Sequence, residues 1–345
     1  MVRRHSVPAA QPAGRVAVGF FSAAFLPARY FFLPACWALF LWLLAAHPLL
    51  RLPLLAYLAY LWRPAGARAV ASCRWPPLLR RSTPCTYWSN YAPGSRLVKT
   101  AELDPCRRFL LGLHPHGVFS NASILALGTE ALDFSRLFPG LQLSLGTLGL
   151  ILKTPFAREV CLLSGWCDVS RRTLLTRLAQ QPGAAVAVVV GGAAEAVLAE
   201  PGTMDLVLLR RKGFVRIALE AGADLVPVLA FGENEQYHRP KLRPGSWLDR
   251  MQTATKKALG FTLPLCYGRP FMGLSWSVLP EPVPIVVVVG APIQLPAFKG
   301  DLRSAEGQTV VDACHARYCA ALQALYNAHK DELALGRRRD LQFVA

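Results

Sequence analysis

Residues 108–117 read Arg-Phe-Leu-Leu-Gly-Leu-His-Pro-His-Gly, and this stretch specifies a strand followed by a turn that carries two histidines. The apolar run 109–113 is short and bounded by polar residues, which is typical of a buried β-strand. Pro115 favours an extended conformation at the residue before it, His114, and Gly117 allows a sharp turn that a side chain would obstruct. We therefore expect the two histidines at the carboxyl end of a strand, where open α/β sheets build their sites.

The two imidazoles suggest general-base chemistry, because this side chain titrates near neutral pH and can take a proton from a reacting group. We predict His116 as the base and His114 as its support. The alternative is that both are ordinary loop histidines.

The chain beyond residue 105 alternates short, apolar, β-branched runs with helical patterns. In the last helical pattern, the apolar residues recur every three or four positions and form one stripe for packing on a sheet. Such alternation predicts a single α/β domain with a largely parallel sheet and flanking helices over residues 106–335. The predicted strands include 185–190, 223–231 and 284–289, and the predicted helices include 170–180, 213–222 and 309–330.

Several short blocks occur in a fixed order, and together they resemble the type 2 diacylglycerol acyltransferase family, which includes monoacylglycerol and acyl-CoA wax alcohol acyltransferases. The resemblance covers roughly residues 89–330. One position departs from the family pattern, which usually has Tyr-Phe-Pro where this chain has Tyr91-Ala92-Pro93. The blocks are Ser-Asn-Tyr-Ala-Pro (89–93), Leu-Val-Lys-Thr (97–100), His-Pro-His-Gly (114–117), Leu-Phe-Pro-Gly (137–140), Val-Gly-Gly-Ala-Ala-Glu (190–195), Arg-Lys-Gly-Phe-Val-Arg (211–216), Leu-Val-Pro-Val (225–228) and Phe-Gly-Glu-Asn (231–234).

This resemblance implies a fold akin to the glycerolipid acyltransferases and an acyl-CoA-dependent O-acyltransferase activity. The donor would be acyl-CoA as co-substrate, with no other cofactor, and the acceptor a neutral lipid alcohol, diacylglycerol or monoacylglycerol. One alternative is a long-chain fatty alcohol acceptor, which would give wax esters. Another is a catalytically silent, lipid-binding membrane protein, for which Ala92 and Asn121 leave room.

Further catalytic candidates follow from the same resemblance. The wider glycerolipid acyltransferase superfamily places an aspartate five residues after its catalytic histidine, and here that position is Asn121, whose amide can orient an imidazole without supplying negative charge. Glu195 follows a predicted strand, as the glutamate of the superfamily's acceptor-binding block does. Gly191 and Gly192 permit close backbone approach and could leave N–H groups facing an oxyanion. The alternative is a plain strand-to-helix turn with a solvated glutamate.

A basic cluster stands at a predicted helix start, where side chains and backbone N–H groups suit the phosphates of acyl-CoA. It comprises Arg211, Lys212, Gly213 and Arg216. Arg158 is a second phosphate candidate from its position in the family pattern. The alternative for these charges is a solvated helix face.

Residues 16–62 are predicted to form a membrane-embedded helical hairpin that turns near His47-Pro48. The run 30–50 carries no formal charge, and a second apolar run continues to residue 62, whereas a signal peptide would be shorter. Arginines flank both sides, which places both ends in the cytosol. We expect an endoplasmic reticulum protein with a cytosolic catalytic domain, with lipid droplets as a further location. Residues 1–15 and 336–345 are predicted tails, and 63–105 a juxtamembrane connector.

The net charge of +17 requires a partner or a solvated surface. Zinc-finger spacings and RNA-binding aromatic blocks are missing, so we expect no nucleic acid partner. Anionic phospholipid headgroups and coenzyme A phosphates suit the charge better.

The nine cysteines form no Cys-x-x-Cys pair, which predicts reduced thiols and no metal site. The oligomeric state is not predictable from the sequence.

Overall fold

The computed structural model describes residues 13–62, 84–240, 243–259, 265–271 and 277–344. Seven of its strands form one sheet. The strands are β1 (Arg96–Lys99), β2 (Phe109–His114), β3 (Gln142–Thr147), β4 (Trp166–Asp168), β5 (Ala184–Val189), β6 (Asp205–Val207), β7 (Asp224–Phe231), β8 (Val286–Val289) and β9 (Gln342–Val344). Their order in the sheet is β1-β8-β7-β2-β5-β3-β4, and β6 pairs with β9 in a separate two-stranded sheet.

The large sheet is mostly parallel, as the sequence predicted. β2 runs parallel to both of its neighbours, β5 and β7. β8 lies antiparallel to β7, and β1 is parallel to β8, so the two strands at that edge run the opposite way. The carboxyl ends of β2, β3, β4, β5 and β7 therefore meet at one edge, and the loops that leave them lie close together.

Both faces of the sheet are covered, which explains why its strands are continuously apolar. Along β2, Phe109, Leu111 and Leu113 belong to one buried cluster, and Leu110 belongs to the other. This alternation follows from the two-residue period of a strand. Every residue of β2 is buried, including its last, His114.

The helices fall close to their predicted bounds. They are α1 (Ala13–Ala46), α2 (Arg51–Trp62), α3 (Trp88–Tyr91), α4 (Phe134–Leu137), α5 (Ala157–Leu163), α6 (Arg171–Leu178), α7 (Ala193–Ala196), α8 (Gly213–Ala221), α9 (Trp247–Leu259) and α10 (Ala305–Leu333). α10 begins before its predicted start because the Ser304 side chain accepts the Gly307 N–H and caps it. Its predicted apolar stripe is buried at Val311, Cys314 and Leu322.

Two predicted boundaries differ from the structure. The sheet begins at β1, inside the segment 63–105 predicted as a connector; residues 63–83 of that segment lie outside the described residues. The predicted tail 336–345 contributes β9, which pairs in parallel with β6, and Leu341 is buried beside it. Both are short strands whose pairing partner is remote in sequence, so a local pattern could not reveal them.

The amino-terminal helices break where the sequence predicted. α1 ends at Ala46, a 3₁₀ turn spans Pro48–Leu50, and the axes on either side of the break differ by 114°. Among the described residues, no single helix is long and apolar enough to cross a membrane, whereas the bent pair passes that test together by length and composition. The predicted tail 1–15 falls largely outside the described residues, which begin at Ala13.

Candidate active site

The two predicted histidines lie where β2 ends. His114 is its last residue and is fully buried, and His116 is partly exposed. Gly117 makes the predicted turn, with φ of +60°. A Cβ at this glycine would lie 2.4 Å from Cγ of Glu233, so a side chain would clash as well as strain the backbone.

The Glu195 carboxylate joins three parts of the site. Its Oε2 accepts the backbone N–H of His116 at 2.7 Å, and its Oε1 accepts the backbone N–H of Val207 at 2.9 Å. The same Oε1 lies 3.8 Å from Nδ1 of His114. Glu195 is only 2% exposed, so it is not the solvated glutamate of a plain turn.

The glycine pair before Glu195 makes this arrangement possible. A Cβ at Gly191 would lie 1.9 Å from Cδ of Glu195, so the carboxylate occupies the space that a side chain would need. Gly192 has φ of +56° and begins the short helix α7, which carries Glu195. The close approach is therefore seen at Gly191, whereas among the described residues a Cβ at Gly192 would meet nothing within 4 Å, and Gly192 serves through its positive φ.

A local hydrogen bond sets the tautomer of His116. Its Nδ1 lies 2.9 Å from the carbonyl oxygen of Gly117. A carbonyl only accepts hydrogen bonds, so Nδ1 carries the proton and, in the neutral ring, Nε2 carries the lone pair. This is the protonation pattern that a general base requires.

A second buried carboxylate, Glu233, supports the loop that follows His116 and leads into the next helical turn. It accepts the backbone N–H groups of Asn121 at 2.9 Å and Ala122 at 2.7 Å. Sequence reasoning assigned no role to Glu233, although it stands in the Phe-Gly-Glu-Asn block. Two carboxylates, Glu195 and Glu233, thus hold the loop from His116 to Ala122 by its backbone.

Asn121 does not take the role predicted for it. Its side-chain Nδ2 donates to Gln236 Oε1 at 2.7 Å, and within the described part of the chain its Oδ1 has no hydrogen-bond partner. The predicted amide-to-imidazole hydrogen bond is therefore absent. The reason is geometric, because the Glu233 carboxylate fixes the Asn121 backbone and the amide then points to Gln236.

Tyr318 of α10 completes the surroundings of His114. Its hydroxyl lies 3.1 Å from Nε2 of His114 and donates to the carbonyl oxygen of Gly112 at 3.0 Å. In the sequence it was one member of an apolar stripe. A tyrosine in such a stripe is a detectable signal, because a buried hydroxyl needs a polar partner.

The predicted basic cluster lies at the start of α8, which begins at Gly213 as expected. Lys212 Nζ forms an ion pair with Asp312 at 2.7 Å, and Arg216 Nη2 donates to Gln308 Oε1 at 2.7 Å; both acceptors are on α10. Arg211 is exposed. Phe214, which follows Gly213 in this helix start, packs edge-on against Tyr318, with 4.9 Å between centroids.

Arg158 lies with a different element. It is buried in α5, and its guanidinium stands over the ring of Tyr60 in α2, 4.8 Å from the centroid. Its neighbour Glu159 accepts a hydrogen bond from the Tyr57 hydroxyl at 2.6 Å, also in α2. The structure therefore groups Arg158 with the amino-terminal helices and not with Arg216.

His315 of α10 is a second buried imidazole, beside the start of α8. Its Nε2 lies 3.0 Å from the carbonyl oxygen of Leu208, and its ring packs edge-on near Phe214. Burial lowers the pKa of His315, and Lys212 lowers it further, whereas the Leu208 carbonyl and Asp312 raise it.

Among the described residues, no group of three or more His, Cys, Asp or Glu side chains could hold a metal ion.

Comparison with known proteins gives one family match and several relatives. Residues 40–344 match a family model described as diacylglycerol acyltransferase. Diacylglycerol O-acyltransferase 2A of Umbelopsis ramanniana is 38% identical over 315 residues, which cover 90% of this chain and 86% of the relative. Human 2-acylglycerol O-acyltransferase 3 is 41% identical over 251 residues, 72% of each chain. The solved 1-acyl-sn-glycerophosphate acyltransferase of Thermotoga maritima is 10% identical, with a TM-score of 0.39, and the match covers 86% of this chain and 98% of that one.

Proposed function

The chain belongs to the diacylglycerol acyltransferase family, and from this premise we propose that it transfers an acyl group from acyl-CoA to the hydroxyl of diacylglycerol or monoacylglycerol. It is an acyl-CoA:acylglycerol O-acyltransferase. The observation that carries the proposed chemistry is the Nδ1 hydrogen bond of His116, which leaves Nε2 as the basic nitrogen.

In the proposed mechanism, Nε2 of His116 accepts the proton of the acceptor hydroxyl as its oxygen attacks the thioester carbonyl carbon. The carbon–sulfur bond then breaks, and the coenzyme A thiolate leaves and takes the proton back from the imidazolium. General-base assistance of this kind is typically worth on the order of 10² to 10⁴ in rate. Glu195 supports the step by holding the His116 backbone, and the N–H groups of Gly191 and Gly192 are candidates for the oxyanion.

We place the phosphates of the donor at the start of α8. Lys212 and Arg216 supply positive charge there, the exposed Arg211 lies beside them, and the first N–H groups of a nine-residue helix have no intrahelical partner. Phe214 of the same helix start packs on Tyr318, which contacts His114, so the proposed phosphate site and the histidines share one buried contact.

We further propose that α1 and α2 embed in the endoplasmic reticulum membrane, with both termini and the α/β domain cytosolic and with lipid droplets as a further location. Large apolar side chains remain exposed along the pair, among them Phe31, Trp42, Leu49 and Leu52. Tyr57 and Tyr60 attach the pair to α5, so the lipid acceptor would reach the site from the membrane side.

The test is a product analysis with membranes that contain the protein. Labelled acyl-CoA is supplied with a panel of monoacylglycerols, diacylglycerols and long-chain alcohols, and the lipids are separated; membranes with His116→Ala serve as the control. We expect labelled diacylglycerol or triacylglycerol that depends on His116. Wax ester as the main product would replace the acylglycerol with a fatty alcohol as acceptor. Labelled lipid binding without any product would overturn the proposed function.

A further inference from the structure

Tyr318 contacts His114 although the two residues are 204 positions apart in sequence. It comes from the middle of α10 and is fully buried over the centre of β2. Its hydroxyl occupies the space beside Gly112, where a Cβ would lie 2.1 Å from the hydroxyl oxygen. The glycine in β2 is therefore what lets the hydroxyl reach both the strand and His114.

The protons around this hydroxyl can be assigned from their partners. Burial raises the pKa of Tyr318 well above its usual value, and Cys319 and Glu195 raise it further, so the hydroxyl keeps its proton. It donates that proton to the Gly112 carbonyl, which can only accept. The contact with Nε2 of His114 must then run the other way, with the imidazole N–H donating to the tyrosine oxygen.

This assignment orients the second ring nitrogen of His114. Nδ1 faces Glu195 Oε1 at 3.8 Å and, within the described residues, makes no hydrogen bond. The Glu195 carboxylate that contacts His114 on this side also accepts the backbone N–H of His116. Glu195 therefore lies beside both histidines: its Oε1 is 3.8 Å from Nδ1 of His114, and its Oε2 accepts the backbone N–H of the proposed base.

We propose that Tyr318 is a positioning residue of the acyl transfer, which holds the His114 ring at Nε2 so that the ring stays packed beside the Glu195 carboxylate. The inference rests on the proposed function, because it assigns Tyr318 a part in the reaction of the same site. Tyr318 does not touch substrate; it acts through His114 and Glu195 on the position of His116.

The test compares two tyrosines of α10. Tyr318→Phe removes only the hydroxyl and keeps the ring that packs on Phe214. Tyr326→Phe is the matched control, because Tyr326 is also buried on α10, but its hydroxyl lies 3.5 Å from Asp340, away from the histidines. For each full-length variant in membranes, kcat and the KM values for acyl-CoA and acceptor are measured per amount of folded protein, together with the thermal unfolding midpoint.

We expect Tyr318→Phe to lower kcat about tenfold while both KM values stay within about twofold of wild type, since only the positioning of the base is affected. Tyr326→Phe should keep kcat within about twofold. A Tyr318→Phe enzyme with wild-type kcat would overturn the inference, whatever its unfolding midpoint. Should that variant not accumulate folded, Gly112→Ala, whose Cβ displaces the hydroxyl, must show the same fall in kcat. An inactive wild-type enzyme would instead count against the proposed function.

Discussion

Glu195 holds His116 by its backbone N–H. The carboxylate accepts the His116 N–H at 2.7 Å, and its other oxygen accepts the Val207 N–H at 2.9 Å. The two accepted bonds tie the loop after β2 to β6. The glutamate therefore fixes where the proposed base stands, and the Gly117 carbonyl fixes which of its nitrogens is protonated.

His116→Ala should reduce ester synthesis by about 10²-fold or more, because the proposed base is lost. Expression and membrane association should be unchanged, since His116 is partly exposed at a loop and not part of the apolar core. Turnover by the purified variant is the measurement, and His329→Ala on α10 is the control. A His116→Ala enzyme that kept most of the wild-type turnover would show that another group is the base.

Glu195→Gln should lower both activity and stability. An amide can accept only one of the two backbone N–H bonds, so either His116 or Val207 would face an NH₂ group and lose its acceptor. Leaving a buried donor unpaired costs about 1 to 3 kcal/mol of unfolding free energy. Denaturant unfolding and turnover measure the two effects, and unchanged unfolding would contradict the contacts described here.

Arg216→Gln should raise the acyl-CoA concentration needed for half-maximal rate by roughly ten- to a hundredfold, as expected for a lost charge-assisted contact of about 1.5 to 3 kcal/mol. The acceptor dependence should change little. Because Arg216 also contacts Gln308, Gln308→Ala is the matched control for a purely structural effect. Equal changes in both variants would mean that Arg216 only joins α8 to α10.

The proposed membrane arrangement predicts that residues 16–62 stay uncleaved and that both ends of the chain face the cytosol. Protease treatment of sealed microsomes measures this, with a tag attached to the carboxyl end through a flexible linker so that β9 can still pair. The tag should be removed before detergent is added. A tag protected until detergent is added would place the carboxyl end in the lumen and contradict the predicted orientation.

The lowered pKa of His315 predicts that the folding stability of the protein declines in mild acid. Its pKa is lowered in the folded protein, so the native state binds fewer protons than the unfolded state. This contribution is complete above the unfolded pKa of about 6.5 and is lost as the pH falls below it. The thermal midpoint should therefore drop between about pH 7 and about pH 5, and less steeply in His315→Gln. Parallel pH profiles for the two proteins would contradict this role.

The features that sequence alone predicted are those that short segments encode. The run 109–113 and the following His-Pro-His-Gly turn specify a strand end without help from the rest of the chain. The start of α8 at Gly213 was equally local. The loop role of Gly117 was also evident, because its positive φ is a property of one residue.

The features that it missed depend on pairs of residues that meet only after folding. Glu233 is recognisable as a support only when its carboxylate is seen to accept the Asn121 N–H, and the superfamily comparison led instead to an imidazole partner for Asn121. Tyr318 has the spacing of a core residue, and the contact of its hydroxyl with Gly112 could not be predicted before the strand and the helix were placed together. β1 and β9 are too short to be identified without their partner strands.

The pairing of β9 with β6 also fixes the order in which the site is completed during synthesis. Val207 supplies one of the two N–H groups that hold Glu195, and β6 acquires its partner strand only when residues 342–344 have been made. A nascent chain that stops before residue 342 would therefore contain the bent helix pair and all seven strands of the large sheet, while β6 beside Glu195 still lacked its partner strand. With α1 and α2 embedded as proposed, attachment to the membrane would precede the completion of the Glu195 surroundings, so the enzyme would already be beside its lipid substrates when it becomes active.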